Sequence, residues 1–260
     1  AASPLALGLV AAFAGAGPAH AQAVNLGGGN NIVADGRTRT NITVDGATTR
    51  ITTGTVSKNT GFNSFSDFQQ AAGTRVDLFV PDGAGNLVNI VRGPVVIDGL
   101  LNSYKDGAIG GNVYFSTSQG FVLGANGSIN VGKLTVNTPT AGFLDGVVRP
   151  DGSVDDQAAA RLMHGIVPIS PDGTIAIAGT INAAGGITLQ GQDVDILGGE
   201  VQLDPATRQR LLFGATVNAL DAVEGGRLVS HGGEISIVAT GKARLGGQID
   251  ASAATAGKGG

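Results

Sequence analysis

The sequence predicts an all-β solenoid, a parallel β-helix, and three observations carry that prediction. First, the stretch Asn112 to Gly132, NVYFSTSQGFVLGANGSINVG, holds three short apolar runs (VYF, FVL, INV) separated by small polar residues and glycine. Each run is too short for a helix, and a flat meander of such strands would leave both edges open. A chain that coils as three short strands with a corner after each, and stacks on the next coil about 4.8 Å away, solves both problems. Second, the pattern recurs: Ile175, Ile181, Ile187, Val194 and Val201 fall six or seven residues apart, one apolar patch per side of a triangular coil. One coil cannot bury its own face, so the recurrence is required. Third, 44 glycines stand against 14% charged residues, a composition of many short strands and tight corners.

The same composition excludes other classes. Net charge is −4 and basic residues are scattered singly, so nothing offers nucleic acid a basic stripe. There is no cysteine, which removes disulfides, zinc–thiolate sites and thiol chemistry together. Residues 1–21 read as the remnant of a secretory signal: the apolar run Leu5 to Phe13 is followed by Ala19-His20-Ala21, an A-x-A cleavage pattern. That run is too short to span a bilayer. Residues 22–260 are expected to form one β-helical domain, and because the chain stops in mid-pattern the coil is expected to continue in a longer protein.

The elements follow in order. Asn31-Ile-Val-Ala-Asp-Gly and Asn41-Ile-Thr-Val-Asp-Gly are two similar units, each a strand ended by an Asp-Gly turn, and predict hairpin-like strands at the N-terminus. Phe62, Phe65 and Phe68 recur at intervals of three, which fits a helical turn or an aromatic-pinned loop plugging an open end of the core. Val76 to Leu101 reads strand, Asp-Gly turn, strand. In the 112–132 coil, Val113 and Phe115 face one side and Tyr114 the other, while Phe121 with Leu123 and Ile129 with Val131 share sides. Residues 145–168 break the rhythm, and within them Asp151 to Gly165 opens on an Asp-Gly turn. This stretch predicts a short helix from about Asp155 to His164, capped by Ser153 and lying outside the coil. The β pattern returns at Thr174 to Leu197, with Glu200-Val-Gln-Leu after it, and again at Arg227 to Asp250.

These segments resemble a known family. Phe62-Asn-Ser-Phe-Ser-Asp-Phe is similar to the "sF..F" segment of the haemagglutination-activity domain. This is the N-terminal secretion domain of two-partner secretion (TPS) exoproteins, the filamentous-haemagglutinin-like adhesins and haemolysins. Val91-Arg92-Gly93 through Ile97-Asp-Gly-Leu-Leu101, Asn112-Val-Tyr-Phe, and Gly124 with Ile129-Asn-Val-Gly132 resemble the motifs that follow, in order and spacing. Thr117-Ser118-Gln119-Gly120-Phe121 stands where the family has Asn-Pro-Asn-Gly-Ile, with only Gly120 retained strictly, and the family's NPNL motif is not evident.

The resemblance implies a right-handed parallel β-helix with N-terminal capping strands and extra-helical hairpins. It also implies a partner, a cognate outer-membrane transporter whose periplasmic POTRA domains recognise the unfolded or part-folded segment. Recognition residues carried over by position are Asn63, Phe65, Phe68, Asn112, Thr117, Ser118, Gln119, Gly120, Phe121 and Asn130. The exoprotein would reach the medium or cell surface of a Gram-negative bacterium through the periplasm, as a monomer. It would need no cofactor, catalytic residue or metal, and host carbohydrate or protein would be met by regions further along.

A competing reading is a β-helical protein that binds or cleaves polysaccharide. Cleavage needs carboxylates gathered on one face. Asp193 and Asp195 share a strand face, Glu200 and Asp204 come soon after, and Asp155 and Asp156 fall near Arg161. The two histidines outside the leader, His164 and His231, are far apart, and no nucleophile elbow, metal box or phosphate loop is present.

Overall fold

The computed structural model describes residues 29–198, 201, 206–207 and 225–252. The leader and Glu200-Val-Gln-Leu, Val201 excepted, lie outside these residues.

Four strands open the described residues: β1 (Asn31–Ala34), β2 (Thr40–Asp45), β3 (Thr48–Thr53) and β4 (Val56–Ser57). The coil then begins with the long β5 (Thr60–Gln70) and β6 (Arg75–Phe79). Two full coils follow. One is β7 (Asn86–Val91), β8 (Val95–Ile97) and β9 (Leu100–Lys105), with β10 (Ala108–Ile109) folding back on β9 as an outer hairpin. The other is β11 (Asn112–Thr117), β12 (Phe121–Leu123) and β13 (Ser128–Val131). After β14 (Lys133–Asn137) the chain leaves the coil for α1 (Ala141–Val147) and α2 (Asp156–Met163), and returns as β15 (Thr174–Ile177) and β16 (Thr180–Ala183). The last described coils are β17 (Ile187–Gly191), β18 (Asp193–Ile196), β19 (Arg227–Ser230) and β20 (Ile235–Ala239), β21 (Ala243–Leu245), β22 (Gln248–Asp250).

Every strand of one coil pairs in parallel with its counterpart on the next. The first face runs β5-β7-β11-β14-β17-β20, the second β5-β8-β12-β15-β18-β21, and the third β3-β6-β9-β13-β16-β19-β22. The two bonds Asn112 to Asn86 and Ser116 to Asn137 span 26 and 21 residues, one turn each of the coil. The predicted parallel β-helix is therefore the observed architecture, and 112–132 is one coil of it.

Alternation along each strand sends one set of apolar side chains into a shared lumen. Ile175, Ile181, Ile187 and Val194 all lie there, buried to 1% exposure or less with Val113, Phe115, Phe121, Leu123, Ile129 and Val131. Val201 does not: it bridges Gly198 and packs outside the second face against the cluster of Val96, Val122 and Leu197. The spacing rule fails at Val201 because the chain has already left the coil.

Three further expectations are corrected. The 62–68 segment is neither helical turn nor loop but the middle of β5. Its residues up to Phe65 pair with β7 and those from Phe68 pair with β8, so the strand turns a corner between them. That corner resets the alternation and lets two residues three apart both enter the lumen. Phe62 faces out, into a second cluster. At the N-terminus only the second Asp-Gly unit closes a hairpin, between β2 and β3. The first leads away from β1, which pairs antiparallel with β5. Finally, α2 is capped by Asp155, whose carboxylate accepts from the backbone N–H groups of Gln157 and Ala158, while Ser153 bonds Asp151 instead.

Both helices lie outside the coil, as expected for α2, and cover the first face. Leu144, Val147 and Leu162 pack on Phe62, Val88, Ile90 and Tyr114, the outward residues of β5, β7 and β11. Among the described residues no helix is long and apolar enough to cross a membrane.

Candidate functional site

The residues carried over from the family fall into three places. The first is the lumen. Phe65 and Phe68 meet edge to face at 5.2 Å, Phe68 meets Phe115 at 5.3 Å, and Phe115 meets Phe121 at 5.8 Å. This chain of rings ties the first coil to the third, in the offset and edge geometries that aromatic quadrupoles prefer. Asn63 shares the inward side of β5 with Phe65, and it too is fully buried. Its amide donates to Asn89 Oδ1 at 3.0 Å, and its Oδ1 accepts from the Thr40 hydroxyl at 2.9 Å. A buried amide must be paired in this way, and here the pairing fastens the capping strand β2 to the coil.

The second place is the corner after β11. Thr117 is buried, and its hydroxyl donates to the Gly93 carbonyl at 2.7 Å and accepts from the Gln119 N–H at 3.1 Å. The Gln119 side chain donates to the Arg92 carbonyl at 2.8 Å. Gly120 has φ of +102°, which explains why glycine alone is kept at this corner. Thr-Ser-Gln thus makes the polar turn by side-chain to backbone bonds, as an Asn-Pro-Asn turn does, and stitches it to the corner of the preceding coil. Of the carried-over residues only Gln119 is exposed, with Ser118, Asn112 and Asn130 half-buried. Ser118 and Gln119 border a groove of about 470 Å³ whose other wall is Thr140, Ala141 and the Ser170–Asp172 turn.

The third place is the outer surface, where amides stack from coil to coil. Asn130 donates to Asn102 and Asn182 donates to Asn130, both at 2.9 Å, and Asn102 reaches Asp77 at 3.3 Å. Asn112 donates to Asn86 at 2.9 Å. Each carried-over asparagine therefore has a bonding role within the coil.

The carboxylates weighed for catalysis are engaged elsewhere. Asp195 is fully buried and receives both arms of Arg244 at 2.6 Å, and Asp193 accepts from the Lys242 N–H at 2.9 Å. Asp155 pairs with Arg149 and Asp156 with Lys58, not Arg161, whose guanidinium lies 5.4 Å from the Phe143 ring. Backbone N–H bonds hold Asp155 below the usual carboxylate range, and the Ser57 hydroxyl with Lys58 does the same for Asp156. Glu200 and Asp204 lie outside the described residues. Among the described residues no three His, Asp or Glu side chains are grouped as metal ligands.

Sequence reasoning missed an ionic clasp. Asp145, on α1, accepts from Arg37 at 2.6 Å and from Arg92 at 2.7 Å. Burial, then the nearby Arg37 charge, lowers the Arg92 pKa, while Asp145 and Asp35 oppose that. The Arg92 of the quoted Val-Arg-Gly motif was the available signal.

No curated protein matches the chain. A family model described as the TPS secretion domain matches residues 30–259, nearly the whole of the coil just described. The chain therefore belongs to the family of TPS secretion domains, the exported domains of Gram-negative two-partner secretion exoproteins that work with an outer-membrane transporter.

Proposed function

We propose that this domain is the address of its exoprotein, read by the POTRA domains of a cognate transporter before the coil closes, and that it then nucleates β-helix folding outside the cell. The observation that carries this reading is the burial of the address itself. Asn63, Phe65, Phe68, Thr117, Gly120 and Phe121 are buried in the folded coil, so a partner that needs them must meet an open chain. An extended segment offers main-chain groups for strand addition and alternate side chains for pockets. Closure of each coil on the last then makes backward movement costly. A chain without cysteine cannot be tied by a disulfide before it passes the pore. The exoprotein is an adhesin or haemolysin whose receptor-binding parts lie further along.

Removal of Asn112 to Gly132 tests this reading. Those 21 residues are one register repeat, since Asn112 and Lys133 occupy equivalent places. β14 can then stack on β7 with the coil intact. The deleted precursor is expected to stay in the periplasm while its purified domain keeps a strand-type circular dichroism spectrum. Normal surface delivery would refute the assignment.

A further inference from the structure

The outer side of the third face carries an open groove of about 670 Å³ between β3, β6 and the β9–β10 hairpin. Elsewhere this surface is the short polar ladder of Asn102, Asn130 and Asn182. Here it changes character. Phe79 and Tyr104, register partners on β6 and β9, stack at 5.4 Å with only 21° between their planes, and the Arg50 guanidinium lies 6.0 Å from the Phe79 ring. Arg75 is fixed at two points, donating to Asp77 at 2.7 Å and to the Tyr104 hydroxyl at 2.6 Å. Asp82 and Asp106 stand exposed on the rim.

Three features make this more than surface texture. Aromatic residues are only 4% of the chain, and five phenylalanines are buried completely. A half-buried stack on the outer face adds nothing to the lumen. Its side chains are already held by ring stacking and charge-assisted bonds, so little ordering remains to be lost on binding. The volume falls within the roughly 300–1,000 Å³ of small-ligand clefts.

The chemistry selects the ligand. Two guanidinium groups face three carboxylates, so the site has slight negative charge and repels uronates and phosphates. It is too polar and too open for a lipid chain. Carboxylate acceptors, guanidinium donors and ring edges within one cleft suit a ligand whose hydroxyls both donate and accept and whose C–H groups are apolar. We propose that this groove binds a neutral saccharide chain, giving the secretion domain a glycan contact of its own, independent of the transporter reading.

The test is a screen of the purified 260-residue chain against an array of neutral glucans, mannans, galactans and N-acetylhexosamine oligomers. Polygalacturonate and an extended polar peptide serve as competing classes. Hits are then titrated by saturation-transfer NMR. At least one neutral oligosaccharide is expected to bind. Tyr104→Ala should weaken it about tenfold, equivalent to about 1.4 kcal/mol. Asp106→Asn, at an exposed hairpin tip where folding is not at stake, should weaken it about threefold. Failure of every neutral glycan, preference for polygalacturonate or peptide, or equal binding by both variants would overturn the proposal.

Discussion

Single residues set the corners. Gly99, Gly127, Gly179, Gly226 and Gly247 each stand just before a third-face strand, one per coil. A Cβ at Gly127 would sit 2.6 Å from the Ile97 carbonyl oxygen, and one at Gly179 closer still to that of Gly127. The column exists because successive corners stack backbone on backbone. Gly179→Ala should destabilise the domain by about 2 kcal/mol through overpacking. Gly142→Ala, inside α1 with open space around it, should instead stabilise by about 0.5–1 kcal/mol. Thermal melts of the two variants separate the cases. Asp98 is buried, and that burial raises its pKa despite bonds from Asn126. A raised folded pKa means stability that is complete below the unfolded value and lost as pH rises through the folded one. Asp98→Asn should therefore raise Tm at pH 7, and the advantage should vanish as pH falls to about 4, near the ordinary Asp value. Arg244→Ala leaves Asp195 buried without its bidentate partner and should cost about 2 kcal/mol.

At the scale of elements, what could be read in the sequence depended on whether local pattern or distant packing sets the element. The strands were legible because two-residue alternation and glycine corners are local. So was α2, whose polar first turn announces it, although the cap moved from Ser153 to Asp155. The helix α1, sequence AGFLDGV, was not legible. Two glycines within seven residues give it little propensity of its own. It is held by Leu144 and Val147 in the outer cluster and by the Arg37–Asp145–Arg92 clasp, and both depend on residues far away in the chain. Asp145→Ala should thus release α1 selectively. Hydrogen exchange across 141–147 is expected to rise sharply, with a loss of global stability of only about 1 kcal/mol. Uniform destabilisation of all coils would contradict a local role for the clasp. The bend in β5 was hidden for a related reason. Phe65 and Phe68 mimic helical spacing only because a corner lies between them, and pairing with both β7 and β8 creates that corner.

For the whole molecule, the winding that buries the apolar side chains also buries Asn63, Phe65, Phe68, Thr117, Gly120 and Phe121, so under the proposed function these six are read before the coil closes. The candidate site was legible as a set of positions and illegible as a surface. Sequence motifs marked Asn63, Phe65 and Thr117, but only the coil shows that they point into the lumen or brace its corners. A cysteine-free chain allows this to be tested with one engineered lock. Ser128 and Thr180 are register partners on neighbouring coils, a spacing of about 4.8 Å that a disulfide can bridge. In the Ser128→Cys, Thr180→Cys double variant, the decisive measurement is binding to purified POTRA domains of the cognate transporter, from denaturant, with the bond reduced and with it formed. Strong binding by the reduced, unclosed chain and loss of binding once the oxidised coil has closed is the predicted result. Equal or tighter binding by the locked, folded domain would contradict it.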